Sequence, residues 1–103
     1  MPLSPADLRV PYRFEWDPEK AADNWRLHRV PFEEATEAFS DPLSLNMPDP
    51  DHSRGEERFV VLGLSRRGRL LVVSYAERGF RTRLISARLA SRTERRHYEE
   101  DSP

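Results

Sequence analysis

The chain has 103 residues, no cysteine and a formal net charge of −1, which is enough for one domain and excludes disulfides and thiolate nucleophiles. Its three histidines, His28, His52 and His97, follow no metal-ligand spacing, so neither a metal centre nor another cofactor is expected. No apolar run approaches the ~20 residues of a membrane span and no basic-then-apolar leader opens the chain, so a cytoplasmic protein is expected.

Residues 1–11, with Pro2, Pro5 and Pro11, read as a flexible extension, residues 12–100 as one domain and residues 101–103 as a tail. Tyr12 to Trp16 reads as a short strand, and Asp17-Pro18-Glu19 as a helix start with Asp as cap and Pro in the first turn. The helix runs to about Arg29, with Ala21, Trp25 and His28 expected on its inner face and Lys20 and Asn24 beside them. After Val30-Pro31, Phe32, Ala35, Ala38 and Phe39 mark a second short helix whose outer face carries Glu33, Glu34 and Glu37. Ser40-Asp41-Pro42 ends it. Leu43, Leu45 and Met47 alternate as in a half-buried strand, and a loop with His52 and Ser53 follows from Pro48 to Gly55. Three strand-like runs come next: Arg58 to Ser65, Leu70 to Tyr75 and Thr82 to Ala87. Arg66-Arg67-Gly68 and Arg78-Gly79 supply tight turns between them, which predicts consecutive antiparallel hairpins. The Leu70-Leu71-Val72-Val73 run makes its strand central. Ser91-Arg92-Thr93-Glu94 is a capping box that opens a short basic helix through about Tyr98.

The order β-α-α-β-β-β-β-α predicts an α+β fold: an antiparallel sheet with the first two helices packed on one face and a short C-terminal helix. The other face is then partly open, and arginines alternating on the last strands can point there.

The charges are segregated along the chain. Residues 1–57 carry six basic and thirteen acidic side chains, whereas residues 58–97 carry eleven arginines against Glu77 and Glu94. Every basic residue but Lys20 is arginine, whose planar fork grips phosphate in two places at once. A GC-rich genome accounts for abundant arginine, but not for its segregation. The asymmetry suggests one face for a polyanion and another that avoids it or meets a basic partner.

Phe14-Glu15-Trp16-Asp17-Pro18 with Lys20, Asn24 and His28, then Phe32-Glu33-Glu34-Ala35 and Phe39 with Asp41-Pro42, resembles the N-terminal signature of the BrnT toxin family. Glu56-Glu57-Arg58 ahead of a strand to Gly63, Glu77-Arg78-Gly79, Arg83-Leu84-Ile85-Ser86-Ala87-Arg88, Glu94-Arg95 and Tyr98 resemble the rest. Ile85-Ser86-Ala87-Arg88 is the most specific piece. The resemblance implies a RelE-like fold and a ribonuclease that blocks translation. It also implies a BrnA-type antitoxin whose DNA-binding region represses the operon, the pair forming a heterotetramer. One departure follows Asn24: the family tends to a Lys-His-Gly turn, and this chain has Leu27-His28-Arg29. The missing lysine weakens one candidate phosphate contact, and arginine stands where glycine would suit the helix C-cap.

RNA cleavage without metal needs a base for the 2′-hydroxyl, positive charge on the pentacoordinate phosphate and an acid for the leaving 5′-oxygen. Arg88, beside Ser86 near the strand end, is the leading phosphate ligand. Arg83 lies five residues earlier and would start on the opposite face of a regular strand. Arg58 either binds phosphate or forms a surface ion pair with Glu57 worth ~0–1 kcal/mol. His28, with an ordinary pKa of about 6.5, suits general acid or base work, and the alternative is an imidazolium favoured by the helix C-terminus. Glu57 is the rival base. Lys20, Arg78, Arg92, Arg95 and Tyr98 are the expected RNA contacts, Tyr98 by stacking or proton donation, with core packing as its alternative. Trp16 and Trp25 either stack on bases or belong to the core. His52 and His97 carry little weight. Glu33, Glu34 and Glu37 are either simply solvated or an antitoxin contact. Two functions follow: an endoribonuclease that cleaves free or ribosome-bound mRNA, or a non-catalytic RNA- or antitoxin-binding module that co-regulates its own operon.

Overall fold

A five-stranded sheet organises the protein, whose computed structural model describes residues 13–49 and 55–101. The elements are β1 (Arg13–Glu15), α1 (Pro18–His28), α2 (Phe32–Ala35) continuing as a 3-10 segment (Thr36–Ser40), β2 (Leu45–Pro48), β3 (Arg58–Leu64), β4 (Leu70–Arg78), β5 (Arg81–Leu89) and α3 (Arg92–Asp101). His52 and most of the loop around it, together with Tyr12 and the N-terminal extension, lie outside the described residues.

The strands lie in the order β1-β5-β4-β3-β2. β2 to β5 pair antiparallel, but β1 runs parallel to β5 at the sheet edge, so the expected fully antiparallel sheet is corrected there. Short turns force the β3–β4 and β4–β5 pairs to be antiparallel. The return from β1 through two helices imposes no such direction. The expected helix layout also changes. The second helix makes one α-turn and then tightens to 3-10, with the Thr36 hydroxyl donating to the Glu33 carbonyl at 2.7 Å as a local competitor of regular helix bonding.

Local signals explain the ends of the helices. The Asp17 side chain accepts the Glu19 N–H at 2.9 Å, with Pro18 opening α1. At α3, the Ser91 N–H donates to Glu94 Oε1 at 2.8 Å and the Glu94 N–H to Ser91 Oγ at 3.2 Å, which closes the capping box.

Two apolar layers flank the sheet. On one face Phe32, Ala35, Ala38 and Phe39 pack against Val61, Leu71, Val73, Tyr75, Leu84 and Ala87, each large side chain contributing about 1.5–3 kcal/mol by leaving water. On the other, Tyr98 from α3 packs against Leu62, Leu70 and Val72. The α3 helix therefore covers only one end of that face. Its phenol donates to Asp41 Oδ2 at 2.5 Å, and the same oxygen accepts the Leu64 N–H at 2.9 Å.

Three side chains depart from their expected places. Trp25 is 48% exposed, and Asn24 is the buried residue of α1. Its amide donates to the carbonyls of Val30 and Ala87 at 2.9 and 2.8 Å and accepts the Ala87 N–H at 2.9 Å. β1 ends opposite Arg83, so β5 has no strand neighbour at Ala87 on that side, and the Asn24 amide satisfies those backbone groups instead. Glu34, expected on a solvated face, is buried. Ser65 Oγ and Arg69 Nε donate to its Oε2 at 2.8 and 2.9 Å, which holds its carboxyl below the ordinary range. Leu43 lies in the turn before β2. Among the described residues no helix is long and apolar enough to cross a membrane.

Candidate functional site

The face left open beside α3 is decided by one irregularity. Ser74 pairs with Ser86 and Tyr75 with Leu84, so Ile85 is an extra residue in β5 and forms a β-bulge. Arg88 consequently stands opposite Val72 and Arg83 opposite Ala76. Val72 and Ala76 are four residues apart in β4 and share a face, so Arg83 and Arg88 share it too, against the expectation of opposite faces. Arg58 also pairs with Ala76, and Arg78 with Arg81. Arg58, Arg78, Arg81, Arg83 and Arg88 thus emerge on one side of the sheet, away from α1 and α2.

A cleft of about 250 Å³ opens on this face, lined by Asp49, Arg58, Ser74, Ile85 and Ser86. Ser74 and Ser86 give its floor hydroxyl groups, and Arg58 gives it positive charge.

Carboxylates already engage the arginines. Arg83 donates to Glu15 Oε2 at 2.8 Å, with Arg81 3.6 Å from Glu15 Oε1. Arg78 Nε donates to Glu56 Oε2 at 3.0 Å, and Arg58 Nε lies 3.9 Å from Glu56 Oε1. Arg88 holds Glu94 through two bonds of 2.8 Å. The Arg78 hydrogen bond holds the Glu56 carboxyl below its usual range, and Arg88 lowers Glu94 to about 2. Arginine forks paired with planar carboxylates can equally accept phosphate, because the two anions offer the same two-oxygen geometry.

A profile described as "Ribonuclease toxin, BrnT, of type II toxin-antitoxin system" matches residues 16–94. The chain belongs to this family. As a type II toxin it has an antitoxin as its partner. The BrnT architecture is also that of the Brucella abortus ribonuclease toxin BrnT, solved at 1.1 Å resolution. The two are 20% identical, with a TM-score of 0.63 over 79% of this chain and 99% of that one. No curated protein matches the chain.

Within the BrnT fold the other sequence candidates are dispersed. His28 is exposed on the last turn of α1, in the helix layer, and its imidazole makes no hydrogen bond among the described residues. Lys20 is exposed on the same helix, and neither residue lines the arginine-face cleft. Glu57 is exposed immediately before β3. Arg92 and Arg95 are exposed on α3, beside the open face. Tyr98 takes the packing alternative: its ring is buried, and burial together with the hydrogen bond to Asp41 pushes its pKa up to about 12. Trp16 packs edge-on against Phe32 at 5.8 Å.

Sequence reasoning missed Glu15, Glu56 and Asp49 at the site. Glu56 was legible only as one of two adjacent acids ahead of Arg58, and alternation along an extended strand does not reach the bend at Gly55-Glu56.

Proposed function

We propose that this toxin is a metal-independent endoribonuclease that cuts mRNA on the arginine face of its sheet and so blocks translation. The observation that carries the reading is the common face of Arg58, Arg83 and Arg88 around a cleft with a hydroxyl-lined floor. In this reading the arginines bind the scissile phosphate and stabilise the added negative charge of the phosphorane. A carboxylate takes the 2′-hydroxyl proton, the 2′-oxygen bonds to phosphorus, and the bond to the 5′-oxygen breaks as that oxygen receives a proton. The product is a 2′,3′-cyclic phosphate. Glu57, exposed just before β3, stays in the proposal as one base, and Asp49, which lines the cleft, is the alternative. His28 leaves the proposal, because it belongs to the helix layer and the sheet lies between it and the cleft. Arg78, Arg92 and Arg95 extend the phosphate track, and Lys20 does not belong to it.

The same reading gives a RelE-like fold, a cytoplasmic site of action and mRNA met free or on the ribosome. The antitoxin is then a BrnA-type DNA-binding protein that joins the toxin in a heterotetramer. The test is purified protein incubated with single-stranded RNA in the presence of a chelator. Cyclic-phosphate ends are expected, with cleavage reduced about 10²–10³-fold by Arg83→Ala. Undiminished cutting by Arg83→Ala and Arg88→Ala alike would remove the arginine face from the chemistry.

A second reading is a non-catalytic RNA- or antitoxin-binding module that tunes its own operon. It is favoured by the carboxylates Glu15, Glu56 and Glu94, which already neutralise the arginines around the cleft. RNA that is bound in a salt-dependent way but never cut would select it.

A further inference from the structure

Phe80 sits at the tip of the β4–β5 hairpin with 90% of its surface in solvent. Turn chemistry does not ask for it. Gly79 supplies the positive φ of 61° at the first turn position, and the second position accepts small polar residues equally well. A phenylalanine left in water forgoes the apolar burial that such a side chain otherwise contributes. The residues that close the turn are Arg78 and Arg81, directly opposite each other. Like charges in that relation weaken a hairpin. Both guanidinium groups reach the open sheet face, Arg78 to Glu56 at 3.0 Å and Arg81 to Glu15 at 3.6 Å, with half or more of each side chain exposed.

An unfavourable closing pair around a solvated aromatic makes physical sense for a ligand that brings both negative charge and a flat apolar surface. Unpaired RNA brings both, since each nucleotide carries a phosphate and a base with two π-faces. A duplex hides those faces by stacking.

We infer that Phe80 is a stacking platform for one unpaired RNA base, with Arg78 and Arg81 gripping the phosphates on either side of that nucleotide. The inference rests on the ribonuclease reading above and adds a nucleotide subsite to it. Five residues of extended strand separate Phe80 from Ile85 in the cleft wall, a span of roughly 16 Å. The subsite therefore lies a few nucleotides from the cleft. It positions the strand and does not touch the scissile bond.

The experiment measures binding of a fluorescently labelled, uncleavable 2′-O-methyl RNA by anisotropy. The full chain is compared with Phe80→Ala, Phe80→Trp, Arg78→Ala and Arg81→Ala, each first shown to melt as the wild type does. Phe80→Ala is expected to weaken binding about tenfold and Phe80→Trp to restore it. With an oligonucleotide of abasic sites, the wild type and both Phe80 variants are expected to bind alike. Each arginine variant is expected to lower the slope of log affinity against log salt by about 1. Equal affinity of wild type and Phe80→Ala for the base-bearing strand overturns the inference, while the nuclease reading stands if the wild type still cuts RNA. A wild type that binds no RNA overturns both. Loss of antitoxin binding by Phe80→Ala with RNA affinity intact assigns the tip to the protein partner and also overturns it.

Discussion

Arg88 and Glu94 face each other across the connection from β5 to α3 in two parallel hydrogen bonds of 2.8 Å. The same carboxylate accepts the Ser91 N–H at 2.8 Å, so one side chain both caps α3 and holds an arginine of the open face. Tyr98 on Asp41 is the second anchor of the helix. Helix docking and arginine placement are therefore coupled through Glu94.

That coupling predicts a pH dependence. Arg88 lowers the Glu94 carboxyl from 4.5 to about 2. A group depressed on folding contributes fully above its unfolded pKa and loses that contribution as pH falls through the folded one. The wild type is expected to exceed Glu94→Gln in stability by about 1 kcal/mol at neutral pH. The difference should shrink below pH 4.5 and vanish near pH 2. Tyr98 runs in the other direction: raised from 10.0 to about 12, it contributes fully below pH 10 and loses its effect as pH climbs through 12. Urea titrations across pH check both, and a gap between wild type and Glu94→Gln that ignores acid would contradict the first.

Glu15 pairs with Arg83 and Arg81, so on the proposed reading it competes with RNA phosphate for them. Glu15→Gln is expected to raise affinity for single-stranded RNA several-fold at low salt. The gain should fade as salt screens the face. Anisotropy titrations at two salt concentrations decide it, with unchanged or weaker binding counting against this face as the RNA site.

Gly63 lies where the 3-10 segment crosses β3, and a methyl group there would collide with the Ala38 carbonyl oxygen. The obstacle is backbone, which cannot rotate away. Gly63→Ala should therefore lose about 1–3 kcal/mol by overpacking. A urea midpoint equal to that of the wild type would be the contrary result.

Arg29 ends α1 in the left-handed region, φ 56°, which disfavours any residue with a Cβ by about 1 kcal/mol. Its guanidinium lies over the Trp25 ring at 5.3 Å, an exposed contact worth about 0.5 kcal/mol. Arg29→Gly exchanges the second for relief of the first. A net gain of about 0.5 kcal/mol is expected in thermal or urea unfolding, with RNA cleavage unchanged because α1 stands apart from the proposed site on the arginine face. Destabilisation would mean that the contact with Trp25 outweighs the strain.

Much of this protein was written locally. The Asp17-Pro18 cap, the Ser91 and Glu94 box, the Arg66-Arg67-Gly68 turn and the alternation along β3 to β5 each depend on residues within a few positions of one another. Such patterns survive in any fold that buries their apolar side, and so does the ordered set of motifs that marks the family. Other features join parts far apart in the chain. The parallel pairing of β1 with β5, the burial of Asn24 and Glu34, and the engagement of Tyr98 by Asp41 were decided only when those parts met. The arginine face shows the limit most sharply. Counting by twos assigns Arg83 and Arg88 to opposite sides, yet one extra residue at Ile85 turns everything beyond it over. The sequence determined that the charge would be arginine and that it would lie in the C-terminal strands. The pairing of β4 with β5 decided that it would converge, because a bulge is a property of two strands together and of neither alone.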